Sequence, residues 1–434
     1  MVSLLVLAVF LLVVFYQFYK FCVHKPEGFP PGPVRIPVFG SYLFLKLINR
    51  KKLHLLRNLR DFGFGRRFQE YEIEVRDELQ SLVNMIKDGP KYAHEKKFLR
   101  ASGEISLPNA LIGSLDNCFL QVVSNERLPR SEQALLFKAG YGSMEFSRHA
   151  NEYGELFGIL PSIRFFFPSM SSFKPLRQAS MDMCELMKKV VDKQIQSYQE
   201  DHVRSFIDLY IKEIKDSEAS GMQTGYLYDQ LLMIRTDFVF PALSAVETQI
   251  AWLFMHLLNR QDICEKIQQE IVVVVGSGRL PELDDRVNMP YTEATLREIM
   301  RFETLVPSSV PHRALKDTTL GGFKIPKDTI VLAGLFAMHN EKFIWGDPET
   351  FRPERFLDDN GRLNLKNDFS LPFGAGRRLC AGETFARNTM FLCIAALLQN
   401  FKLKPAKEGK PDLNAVDCGL VRMPLDFWIM LESR

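Results

Sequence analysis

Residues 373–383 read Phe373-Gly374-Ala375-Gly376-Arg377-Arg378-Leu379-Cys380-Ala381-Gly382-Glu383. Small residues stand on both sides of Cys380, so the backbone there can pass close to something flat and bulky. A helical pattern over 382–400 begins just after the cysteine. Its first N–H groups point back at the sulfur, which favours the thiolate. Such donors also tune a metal bound to that sulfur. Arg378 offers a cation to an anionic group on the same ligand. Together these features suit an axial thiolate on a porphyrin-held iron, with the arginine on a propionate. Against this stands the commoner fate of a lone cysteine at a tight turn, which is a buried structural residue.

The length of the run reverses that preference. Phe-x-x-Gly-x-Arg-x-Cys-x-Gly resembles the heme-binding loop of the cytochrome P-450 monooxygenases, in the animal microsomal type of the insect and vertebrate drug- and hormone-metabolising branch. Further segments agree. Glu298 and Arg301 stand at i, i+3 and share a helix face. Alone such a pair is worth only a few tenths of a kcal/mol. In the family, however, Glu-x-x-Arg locks onto the arginine of a later Phe-x-Pro-x-Arg-Phe, here Phe351-Arg352-Pro353-Glu354-Arg355-Phe356. Val310-Pro311-His312-Arg313, Ile325-Pro326-Lys327 and Trp345-Gly346-Asp347-Pro348 also resemble family segments, as does the helix start at Arg204. The resemblance implies heme b with Cys380 as iron ligand. It implies Arg378 and His312 as propionate partners, and Phe373 and Gly376 as further residues of the cofactor site. Glu298, Arg301 and Arg355 would hold the scaffold beneath the heme.

The periodicity of the remaining chain predicts a mainly α fold with small β-sheets. Helices are expected over 72–87, 181–198, 206–216, 228–258, 262–275, 292–304 and 382–400. Strands are expected over 319–325, 329–333, 401–404 and 426–431. The resemblance adds the cytochrome P-450 fold, with a long central helix and the cysteine loop ahead of the penultimate C-terminal helix. The central helix over 228–258 contains Pro241, which predicts a kink. Either one bent helix beside a ligand cavity or two core helices meeting at a bend satisfies the pattern.

Two departures from the family stand out. Only a short stretch separates Gly40 from Leu59, where the family places several helices, the first strands and a Trp-x-x-x-Arg on a propionate. No such motif occurs here, so the domain reads as truncated near 41–60, in the manner of a splice form or an incomplete gene model. Second, an ungapped alignment of 237–252 puts Ser244 and Ala245 where the family has an acid and a threonine that relay protons to iron-bound dioxygen. A shift of three residues supplies Glu247 and Thr248 instead, the candidate catalytic pair. Some relatives lacking the pair rearrange peroxides without dioxygen.

The front end speaks to location. Residues 2–19 are uncharged and almost wholly apolar, about 27 Å of helix, with aromatics at the far end and then Lys20 and Lys25. A membrane anchor over 1–20 is expected, with the rest on the cytoplasmic side of the endoplasmic reticulum membrane. A cleaved signal peptide would carry a basic start and a small-x-small site, and neither is present. A stiff proline-rich lead over 29–40 follows, then a single heme-thiolate domain over 41–434. With 55 basic and 52 acidic residues the net charge is +3, too small for a general nucleic-acid binder. Seven scattered cysteines exclude a disulfide scaffold. The 35 phenylalanines suit an apolar cavity as well as a core. Phe165-Phe166-Phe167-Pro168 reads equally as core or as a second membrane contact. The expected activity is oxygen insertion from O2 into a lipophilic, hormone-like or foreign substrate, with electrons from an NADPH-dependent flavoprotein reductase. A heme-thiolate isomerase or dehydratase, or an inactive truncated isoform, are the alternatives.

Overall fold

The computed structural model describes residues 69–152, 173–220, 231, 240–414, 416–418 and 421–434. Helix α1 (Gln69–Asp88) forms because Val75, Leu79, Leu82, Val83 and Ile86 recur at helical spacing, and all five are buried. A short strand β1 (Glu104–Leu107) leads to α2 (Ile112–Ser124), in which every residue but Gln121 is buried. Asn125 closes α2 in the left-handed conformation, and its N–H donates to the Gln121 carbonyl. Next come α3 (Ala134–Glu152), α4 (Phe173–Ser197), α5 (Phe206–Ser220), α6 (Phe240–Asn259), α7 (Gln261–Val274) and α8 (Pro290–Phe302). Proline opens α8, where its missing N–H costs nothing.

Short pieces follow: β2 (His312–Arg313), β3 (Thr318–Leu320), β4 (Phe323–Ile325), β5 (Ile330–Val331), α9 (Leu335–His339) and α10 (Lys342–Trp345). Helix α11 (Glu383–Asn400) runs straight into β6 (Phe401–Pro405), then β7 (Val416–Cys418), β8 (Arg422–Pro424) and β9 (Phe427–Ser433). Strand β9 is the centre of an antiparallel sheet ordered β1-β9-β6, with Ile105 opposite Ile429 and Leu403 opposite Leu431. Its residues alternate, Phe427, Ile429 and Leu431 inward. Three two-stranded ribbons, β2-β5, β3-β4 and β7-β8, complete the sheets among the described residues.

Helix α6 is the axis of the fold. It packs against α2, α3, α7, α8, α11, β6 and β8, and residues 246–258 are all buried. One contiguous apolar core extends from Val75 on α1 to Leu431 on β9. The mainly α class with small sheets is what the periodicity predicts. Some details differ. The strand expected over 319–325 is a hairpin, because Gly321 and Gly322 both take positive φ, +56° and +82°, as a tight turn requires. Among the described residues α11 is the last helix, not the penultimate one. The central helix is described only from Phe240, so the bend expected at Pro241 lies at the edge of what is described. The expected anchor over 1–20, the proline-rich lead, the truncation near 41–60 and the triple phenylalanine lie outside the described residues. Among the described residues, no helix is long and apolar enough to cross a membrane.

Candidate functional site

A buried ionic frame underlies the cysteine loop. Glu298 and Arg301, one turn apart on α8, are both fully buried. Arg301 grips the carboxylate with Nε and Nη2 at 2.8 Å each. Its remaining donors reach the carbonyls of His339 at 2.8 Å and Pro348 at 3.0 Å. Arg355 adds its Nε to Glu298 at 3.1 Å and spends its other donors on the carbonyls of Trp345, Asp347 and Thr350. The backbone N–H of Arg352 also donates to Glu298, at 2.8 Å. This satisfied network is the three-residue lock that the resemblance implies. Asp347, beside it, is pulled down to about 2 by its hydrogen bond to Arg352 and by the charges of Arg355 and Arg352.

The frame reaches the loop through His339, which sequence reasoning missed. The Leu371 N–H donates to His339 Nε2 at 2.9 Å, so Nε2 is the acceptor. Nδ1 therefore carries the proton and faces Thr304 Oγ1 at 2.7 Å. Burial, and after it the Arg301 guanidinium, push His339 down to about 4, so the ring is neutral. Nothing in a single sequence marks this histidine, because its partners lie more than thirty residues away on both sides.

From Leu371 the chain turns into the loop. Gly374 N–H donates to the Leu371 carbonyl at 3.0 Å and Cys380 N–H to the Phe373 carbonyl at 2.9 Å. Phe373 packs against the core with the Arg387 guanidinium 4.9 Å from its ring centre, a second residue the sequence did not single out. Arg387 is held in turn by Glu383 at 2.8 Å. Gly374 and Gly376 take φ of +74° and +71°, which a residue with Cβ adopts only with strain. The front of the loop is bare. Residues 375–380 are all exposed, Leu379 at 47%, and no heavy atom lies within 4 Å of where a Cβ would stand on Gly374 or Gly376. Arg377 and Arg378 make no ion pair among the described residues. His312, on β2, is exposed. Val310, Leu332 and Phe336, from the neighbouring segments, are exposed by 66%, 54% and 42%.

Cys380 is the exposed one of the four described free cysteines. The protein packed behind its sulfur pushes the thiol up, against the pull of a hydrogen bond from the Gly382 N–H. The helix start therefore supplies the expected donor, but that donor does not outweigh desolvation. A thiolate here calls for a cation in front of it. A bare sulfur, two unpaired arginines, a histidine and exposed apolar side chains fit an anionic, iron-bearing macrocycle such as heme.

Helix α6 distributes the candidate proton carriers unevenly. Between Ser244 and Leu258 the one residue not buried is Ala245. Ser244 lies 3.4 Å from Ser143 on α3. Glu247 and Thr248 are fully buried, and Glu247 lies against Asp116 of α2. The side chains of 240–243 lie outside what is described.

A family model described as cytochrome P450 matches residues 128–429. The chain is 37% identical to cytochrome P450 2U1 of Bos taurus over 262 residues, covering 60% of this chain and 48% of the bovine protein. It therefore spans about half the length of that relative. It is 31% identical to cytochrome P450 2B15 of Rattus norvegicus over 403 residues, 92% of this chain and 76% of the rat protein. It is also 29% identical to farnesoate epoxidase of Bombyx mori over 388 residues, 89% and 74% of the two chains.

Proposed function

The chain belongs to the cytochrome P450 family, and from that premise we propose that it is a heme-thiolate monooxygenase with Cys380 as iron ligand. One observation carries the reading: the loop is fastened behind, through His339 and the Phe373 carbonyl, and bare in front over 375–380. When bound, heme b would supply the dioxygen chemistry that side chains lack, and Cys380 would hold its iron. The chain's part is placement. Cys380 offers its sulfur at the start of α11, with the Gly382 N–H donating to it. Arg378 and His312 are assigned to the carboxylates, and Phe373 and Gly376 to the wall and floor of the cofactor site. Neutral His339 accepts the Leu371 N–H and so fastens the start of the loop from behind.

The substrate we assign is a lipophilic small molecule, hormone-like or foreign, consistent with the name of the silkworm relative and with the apolar front end. An NADPH-dependent flavoprotein reductase is the assigned electron donor. The proposed layout is an anchor over 1–20, a lead over 29–40 and one domain over 41–434 on the cytoplasmic side of the endoplasmic reticulum membrane. Nucleic acid is no partner on a net charge of +3.

A second reading rests on α6. Its single unburied position in 244–258 is Ala245, a methyl group where proton relay needs an acid or an alcohol. The burial of Glu247 and Thr248 supports assigning them to the fold rather than to proton delivery. A heme-thiolate isomerase or dehydratase that uses no dioxygen fits that arrangement. The reduced carbon monoxide spectrum of the purified full chain is the first test. A strongly red-shifted Soret band, lost in Cys380→Ser, is expected. Its absence from the wild type would leave the chain as an inactive isoform. Dependence of product on NADPH and O2 then separates monooxygenase from isomerase.

A further inference from the structure

Asp116 on α2 and Glu247 on α6 meet in the core, where α3 packs on both helices. Both residues are fully buried. None of the four carboxylate oxygens receives a hydrogen bond from another residue while both groups are ionised. Two like charges in that setting are prohibitively costly. A single proton converts the contact into a hydrogen bond, and the two side chains are within reach of one. On α3, Gly140 lies directly against the pair: a Cβ at that position would collide with Asp116 Oδ2 and Ile112 Cγ2.

Among the described residues no cation offsets the pair. The influences on Asp116 are burial and Glu247, and those on Glu247 are burial, its own backbone N–H and Asp116. The other titratable neighbours are Cys118 on α2 and Cys393 on α11, buried thiols that burial keeps protonated. On α1, Glu78 is engaged by Arg127 at 2.9 Å. On α5, Asp208 is engaged by Arg204 at 2.7 Å, and between α3 and α4 Lys138 holds Asp182 at 2.9 Å. At the far end of α6, His256 is spent on Glu303 at 2.6 Å, and Arg422 holds the same carboxylate.

We propose that Asp116 and Glu247 are positioning residues: as a protonated carboxylic acid pair they fasten α6 to α2 at the turn that presents Ala245. Burial and then the Glu247 charge drive Asp116 well above the carboxylate range, and burial raises Glu247 to about 8. Values raised in the folded state mean that folding binds protons. That stability is complete below the unfolded carboxyl value, about 4, and is lost as pH climbs toward 8. Neutral buried His256 and His339 act in the opposite sense, but only below about 6.5. Above about 6.5 these histidines drop out; Glu78, which burial also raises, acts in the same sense as the pair, so the pair's share is the difference from a variant that keeps Glu78.

The test compares the full chain with the double variant Asp116→Asn, Glu247→Gln, whose amides hydrogen-bond in the same way and do not titrate. In denaturant titrations, the wild-type unfolding constant is expected to rise about tenfold per pH unit for each proton released, relative to the variant, between pH 6.5 and 7.5. Parallel curves overturn the proposal. Should the variant fail to fold, infrared spectroscopy of the wild type decides alone. At pH 7 a carbonyl band of a protonated carboxylic acid is expected, shifting in D2O and fading above about pH 8. A wild type without that band refutes the clasp. Neither measurement depends on heme loading, so failure here is distinct from failure of the monooxygenase reading.

Discussion

Replacing Glu298 by glutamine removes one negative charge from a core position where two guanidinium groups converge. Glu298 and Arg301 are fully buried and Arg355 is 5% exposed. Four hydrogen bonds end on the carboxylate, two from Arg301 at 2.8 Å, one from Arg355 at 3.1 Å and one from the Arg352 backbone at 2.8 Å. Glutamine keeps one acceptor oxygen and turns an N–H2 toward a guanidinium. Breaking a buried pair by removing one partner costs about 3–5 kcal/mol, because the surviving charge stays out of water. Against a total stability of about 5–15 kcal/mol, that is a large fraction. Arg352→Ala is the internal control. Its side chain and its partner Asp347 are 44% and 40% exposed, so losing their 2.8 Å contact should cost at most about 1 kcal/mol. Denaturant midpoints of the full chain, with the slopes compared, measure both. A Glu298→Gln variant within about 1 kcal/mol of wild type would refute the reasoning, because the buried charges would then have found other compensation. Equal losses in the two variants would refute it as well.

Other outcomes follow from the same structure. His339→Ala leaves the Leu371 N–H without its acceptor and should cost about 1–3 kcal/mol, with faster proteolysis around Leu371 and the loop as the readout. Because His339 is held at about 4 when folded, the unfolded chain takes up its proton first. Wild-type stability should thus gain from a rise in pH between about 4 and 6.5, and the variant should lose that gain. Gly140→Ala should destabilise by about 1–3 kcal/mol, since its Cβ has no space beside Asp116 and Ile112. Gly374→Ala meets no atom but must hold a left-handed φ, so a loss of about 1–2 kcal/mol is expected, recovered in part by asparagine. In heme-free protein a thiol reagent followed by mass spectrometry should mark Cys380 well before Cys118, Cys264 or Cys393. Those three are buried, and burial raises Cys264 to about 11.

What a sequence reveals depends on how far apart the interacting residues are. Helix α1 is legible because its buried stripe repeats within one turn, and the cysteine loop because its glycines, arginine and cysteine are neighbours in the chain. Helix α2 is not legible for a physical reason: burial on nearly every side erases the polar face that periodicity needs. Strand β1 is hidden because four buried residues show no alternation. The Glu298–Arg301–Arg355 lock was visible only through the family's wording, since spacing alone offers an ordinary surface pair. Its extension through His339 to Leu371 had no wording at all. Thr248 and Glu247 show the limit most clearly. Residue type suggests proton carriers, while Ala245 is the one position of 244–258 on α6 that is not buried and Glu247 lies against Asp116, 131 positions earlier. The fastening proposed for Glu247 comes into view only with its partner, because the cost of burying a charge is decided by what lies opposite and not by what lies beside it in the chain.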